Sequence, residues 1–94
     1  MPLFHIERRI PGIQDFPKEQ VDEIVSNSEV TLVAMRSEGK NIRRVNSIKI
    51  DDAVFCVYEA DSAELVTEHG KRSHMPTDVI SEVCGMVQHD TSKK

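Results

Sequence analysis

The side chains of this 94-residue sequence with metal or proton chemistry open to them include four histidines, two cysteines and a large acidic set. His69 stands three residues after Val66 and four after Leu65, which on a helix places it beside the packed side. One reading is a partly buried histidine hydrogen-bonded to a sheet. The other is a ligand or proton carrier facing Cys56, Tyr58 or Glu59. Imidazole, thiolate and carboxylate together suit nickel, copper or zinc, with the second ring nitrogen held by an acceptor behind it. His5 and Glu7 form a second candidate set, because residues two apart share one face of a strand. Glu59 can join them if its parity matches, and such a group at a dimer interface would hold a divalent ion. The plainer alternative is a solvated polar face or an ion pair between subunits. Cys56 and Cys84 fall in strand-like segments, where cysteine most often acts as a small buried hydrophobe. His74 lies at a helix end, where it can cap carbonyls, and His89 lies in a polar tail.

The elements that must position these residues follow from periodicity. Pro2 to Ile10 alternates, with Phe4, Ile6 and Ile10 on one face and Leu3, His5, Glu7 and Arg9 on the other. Pro11-Gly12 stops this strand, and Asp15-Phe16-Pro17 starts a helix. From Lys18 to about Arg36 the residues Val21, Ile24, Val25, Leu32 and Met35 trace one helical stripe, with Ser28 filling its gap. The weak formers Ser26-Asn27-Ser28-Glu29 are a place where this helix would kink or break, and Gly39 ends it. Ile42–Ile50 and Ala53–Ala60 read as a hairpin turned by Asp51-Asp52. The second of these strands is apolar on both parities, so both of its faces are expected to be covered. Asp61-Ser62-Ala63-Glu64 has the form of a capping box opening a second helix that runs to about Ser73. Val79 to Val87 alternates as a last strand, and residues 89–94 read as a flexible tail.

The order β-α-β-β-α-β predicts an α+β ferredoxin-like sandwich spanning residues 1–88, a four-stranded antiparallel sheet with both helices on one face. The open face then needs polar residues, a ligand or a second copy of the chain, and a homodimer through that face is expected. Composition narrows the function classes. Twelve Lys and Arg against 16 Asp and Glu give a net charge of −4, which disfavours a nucleic-acid binder needing a basic stripe. The basic pairs Arg8-Arg9, Arg43-Arg44 and Lys71-Arg72 read as solvated surface. Four aromatic residues and no Trp make a poor base-stacking platform. No apolar run approaches the ~18 residues of a membrane span and no leader is evident, so a cytoplasmic location with reduced cysteines is expected. The spacing of Cys56 and Cys84 matches no zinc or redox motif.

Several runs together carry a resemblance. Met1-Pro2-Leu3-Phe4 with Glu7-Arg8 and Pro11-Gly12 opens the chain. Phe55-Cys56-Val57-Tyr58-Glu59-Ala60, Glu68-His69, Pro76-Thr77-Asp78 and Ile80-Ser81-Glu82-Val83 follow. From Met1 to about Val87 the sequence resembles DUF4242, a small bacterial domain family of uncharacterised function with one member described as nickel-binding. The resemblance implies a dimeric ferredoxin-like fold, a dimeric α/β barrel, and binding of nickel or another divalent transition metal.

Enzyme signatures are absent: no phosphate loop, no His-Glu-x-x-His, no nucleophile elbow and no paired cysteines. The leading expectation is therefore a small non-enzymatic metal-binding or metal-responsive protein, with His69, Glu59 and Cys56 as the first site and His5 and Glu7 as the second. The alternative is a cofactor-free enzyme or small-molecule binder whose cleft is lined by His69, Tyr58 and Phe55, with His69 as base. A third reading, a structural dimerisation module, needs none of these residues to converge.

Overall fold

The structure, a computed structural model, describes residues 1–85. His89, the 89–94 tail and the end of the last expected strand at Val87 lie outside the described residues. Strand β1 (Leu3–Arg9) leads through a 3-10 turn (Ile13–Asp15) into helix α1 (Lys18–Ser37). Strands β2 (Ile42–Ile50) and β3 (Ala53–Ala60) form the hairpin, and helix α2 (Ala63–Arg72) leads to the short β4 (Val79–Glu82). The sheet is antiparallel with order β2-β3-β1-β4. This is the expected α+β sandwich, with β1 and β3 at its centre.

Register sorts the side chains. Phe4 pairs with Tyr58 and Ile6 with Cys56, and these four residues face the helices. They pack with Leu32, Met35, Ile42, Ala60 and Val66 into one core. The opposite parity, Leu3, His5 and Glu7 against Glu59, Val57 and Phe55, forms the open face. A bulge between Arg44 and Asn46 shifts β2 by one residue, so Asn46, Ile48 and Ile50 join the open face while Ser47 and Lys49 turn toward the helices.

Helix α1 does not break at Ser26–Glu29; it is continuous over 20 residues. Tertiary packing overrides the weak propensity there, because Ser28 and Thr31 are buried with Leu32 and Met35. Its C-terminus is a Schellman motif. Gly39 takes φ +85°, its N–H donates to the Arg36 carbonyl, and the Lys40 N–H reaches the Met35 carbonyl at 3.1 Å. Helix α2 ends the same way, with the Met75 N–H on the Gly70 carbonyl at 2.9 Å. Here His74 takes the left-handed position at φ 57°, so its backbone rather than its imidazole caps the helix. Gly70 is needed for close approach instead, since a Cβ there would sit 2.6 Å from Thr77 Cγ2.

Three local expectations are corrected. The capping box at Asp61 does not form: Ser62 is the N-cap without a side-chain bond, and Asp61 Oδ2 accepts from Asn41 Nδ2 at 2.9 Å instead. Cys84 is exposed and follows β4 rather than lying in it. Arg8 is not solvated surface but fully buried at 0 % exposure. It shares the parity of Phe4 and Ile6, so strand geometry drives it under the helices.

Candidate functional site

Burying Arg8 imposes the chemistry of the space between β1, β3 and the two helices. A guanidinium stays protonated in proteins and only donates, so every neighbour must accept. One terminal nitrogen, Nη1, donates to the Pro76 carbonyl at 3.0 Å. The other, Nη2, is directed to the Tyr58 hydroxyl at 3.4 Å and to His69 Nδ1 at 3.5 Å. The guanidinium carbon lies 5.6 Å from the centre of the Tyr58 ring, within cation–π range. Arg8 Nε is buried with no partner. Among the described residues no carboxylate pairs with Arg8.

Arg8 in turn assigns the state of His69, which α2 buries completely. Because Nδ1 faces a donor, it accepts, and the ring proton resides on Nε2. That N–H points at Ser28 of α1, with the carbonyl and the hydroxyl oxygen each 3.2 Å away. Burial above all, with the Arg8 charge adding to it and the Ser28 carbonyl and Glu29 opposing, lowers the His69 pKa from 6.5 to about 4. His69 is thus neutral near pH 7, with both ring nitrogens occupied. Burial likewise raises the Tyr58 pKa, so Tyr58 stays a neutral phenol, 3.4 Å from Ser28 Oγ and edge-on to the His69 ring at 5.2 Å between centroids.

The residues singled out from the sequence fall into two separate places. Cys56 shares the helix-facing side with His69, but it is buried in the apolar core and its sulfur accepts from the Ser47 hydroxyl at 3.2 Å. Glu59 lies on the opposite face of the sheet and forms an ion pair with Arg43 on β2. The grouping of His69, Glu59 and Cys56 is therefore divided by the sheet itself, since Cys56 and Glu59 are three residues apart in one strand. On the open face the parity of His5, Glu7 and Glu59 does match. Yet Glu59 pairs with Leu3 while Glu7 pairs with Phe55, four residues or about 13 Å along the strand. Glu7 pairs instead with Arg9 at 2.8 Å, and His5 leans on Phe55 at 5.7 Å between ring centres. Among the described residues no group of three or more His, Cys, Asp or Glu converges on a metal position. The described donors of one chain thus do not fit a nickel ion by themselves.

The cleft between helices and sheet exists, but its lining differs from expectation. A space of about 220 Å³ opens between the N-terminal half of α1 and the β2–β3 hairpin, with Ser28, Cys56 and Tyr58 among its lining residues. His69 is not among them, and Phe55 is on the other side of the sheet. Arg8, which escaped the sequence reading, organises the polar interior. Its signal was present in the parity of β1, where Phe4, Ile6 and Arg8 alternate with polar residues.

A four-stranded antiparallel sheet in the order β2-β3-β1-β4, backed by helices on one face, defines a ferredoxin-like α+β protein. Residues 4–83 match the model of the family described as "Nickel responsive protein SCO4226-like", and the chain belongs to that family. This family is related to the DUF4242 family that the sequence resembles. The crystal structure of SCO4226 from Streptomyces coelicolor A3(2) superposes with a TM-score of 0.71 at 21 % identity, covering 90 % of this chain and 99 % of that one. At that identity the likeness shows the shared fold. No curated protein matches the sequence significantly. No helix among the described residues is long and apolar enough to cross a membrane.

Proposed function

We propose that this protein is a non-enzymatic, nickel-responsive domain that acts as a homodimer through the open face of its sheet. The observation that carries the reading is family membership over residues 4–83; the layout of the open face supports the dimer. The helices cover one side only, and the other presents Ile48 and Ile50, 55 % and 51 % exposed, with Val79 at 49 %. The Glu7–Arg9 ion pair stands on β1 between Phe55 and Val79, and the Arg43–Glu59 pair lies toward the other end of the face. Exposed apolar side chains interspersed with ion pairs match a non-obligate interface, which as a whole is about as apolar as the rest of a protein surface. A chain of this size also gains disproportionately from burying a shared face.

His5, Glu7 and Glu59 lie on this same face, so a second copy apposed there brings a second set of these donors to them. His69 and Cys56 are assigned to the interior instead. Sedimentation velocity with and without nickel, together with calorimetric nickel titration, tests both halves. The expected results are a dimer that Ile48→Glu dissociates, and nickel binding that is lost in His5→Ala but retained in His69→Gln. A monomer at every concentration overturns the dimer. Nickel binding indifferent to His5→Ala overturns the placement, and failure to bind nickel with either background overturns direct metal binding.

A further inference from the structure

The cleft beneath α1 has a charge pattern that the nickel reading does not use. Its walls are apolar, built from Ile13, Val21, Ile24, Val25 and Val54. Its charged lining residues are Arg44 and Lys49, both basic, in a chain whose net charge is −4. Both project from the helix-facing side of β2, opposite Tyr58 and Val54 respectively, because the bulge after Arg44 resets the strand's parity. Being exposed on the edge strand, they stand at the mouth rather than in the floor. Glu29 pairs with Arg44 at 3.2 Å from outside the lining. Lys49 has no ion-pair partner among the described residues. Ser28 and Tyr58 line the floor, and directly behind Tyr58 lies the Arg8 guanidinium, which no carboxylate among the described residues neutralises. Floor and mouth are therefore both electropositive around an apolar interior.

We propose that this cleft binds a compact organic anion, a monocarboxylic acid whose apolar body fills the space under α1 and whose carboxylate meets Lys49 and Arg44. The volume of about 220 Å³ falls below the ~300–1,000 Å³ usual for drug-sized ligands, so the ligand is small. A neutral hydrocarbon of the same shape would leave Lys49 without a counter-charge, whereas a dianion would force a second charge into an apolar wall. The site is independent of the open face, so its failure and the failure of the nickel reading are separately visible.

The test is amide NMR titration of the whole chain with octanoate and, as the neutral counterpart, 1-octanol. Saturable shifts confined to Val25, Ser47, Lys49 and Val54 are expected with octanoate, which should bind about tenfold more tightly than the alcohol. Lys49→Glu, a change at an exposed position, should weaken octanoate about fivefold to tenfold and leave the alcohol unchanged. Val25→Trp should weaken both by filling the cleft. Equal affinity for octanoate and the alcohol, shifts centred on the open sheet face, indifference to Lys49→Glu, or no saturable shift at millimolar octanoate each overturns the proposal.

Discussion

Acidifying this protein should loosen it through a single buried imidazole. His69 is held neutral in the fold because burial, reinforced by the Arg8 charge, brings its pKa from 6.5 to about 4. Between those values the unfolded chain binds a proton that the folded chain refuses. Its contribution to stability is therefore fully present above about pH 6.5, falls as the pH drops through the interval, and levels off below about pH 4. A displacement of this size corresponds to about 3 kcal/mol in all, of which about 2.5 kcal/mol is expressed between about pH 7.5 and about pH 4.5. That is a large share of the ~5–15 kcal/mol typical of a small domain. Urea unfolding of the parent and of His69→Gln at the two pH values isolates the effect. Glutamine is neutral throughout and retains both a donor for Ser28 and an acceptor for Arg8, so its pH dependence should be flatter by about 2.5 kcal/mol. Glu38, whose carboxylate is held down to about 2 by Arg72 and Lys40, loses its contribution from about pH 4.5 downward in both proteins and cancels from the comparison. Identical pH dependence in parent and variant would refute the reasoning. So would an NMR titration of the His69 ring with a midpoint near that of free imidazole.

Other perturbations follow from the same geometry. Arg8→Met removes the cation that depresses the His69 pKa, so the His69 midpoint should rise in NMR titration. Arg8→Ala should cost about 2–4 kcal/mol in urea unfolding, because it also leaves a cavity and orphans the Pro76 carbonyl. Gly70→Ala, stabilising in an exposed helix, should instead destabilise by about 1–3 kcal/mol, since the new methyl collides with Thr77. His74→Gly should raise stability by about 1 kcal/mol by relieving the left-handed strain at that cap. An unchanged midpoint in thermal unfolding would contradict it.

Much of the architecture is legible in local pattern. The alternation of β1, the two-sided apolar run of β3, the hairpin at Asp51-Asp52 and the stripe of α1 each report an element and its burial. A β-α-β-β-α-β order leaves few antiparallel arrangements, so the sheet order follows once the elements are known. Endings were less legible. Gly39 announced the end of α1, but α2 closes on His74 with Gly70 one turn earlier, because the returning loop at Met75 and Thr77 packs against the glycine.

The amino-acid sequence by itself determined which residues share a face: Phe4, Ile6 and Arg8 on one side of β1, and His5 and Glu7 on the other. Only the tertiary structure decided what those faces meet. A strand's parity is local, whereas the partner of a buried side chain depends on register and helix placement. His69 was expected to meet either the sheet or a metal, and the fold resolved this by setting the Arg8 guanidinium against one ring nitrogen and Ser28 against the other. Cys56 and Glu59, neighbours in sequence, were divided by the sheet because three residues along a strand reverse the side-chain direction. The bulge at Arg44 and Asn46 decided the rest. One added residue turned Lys49 toward the cleft and Ile48 toward the open face, a choice that hydrophobic pattern alone leaves undetermined because a single-residue slip exchanges the two faces.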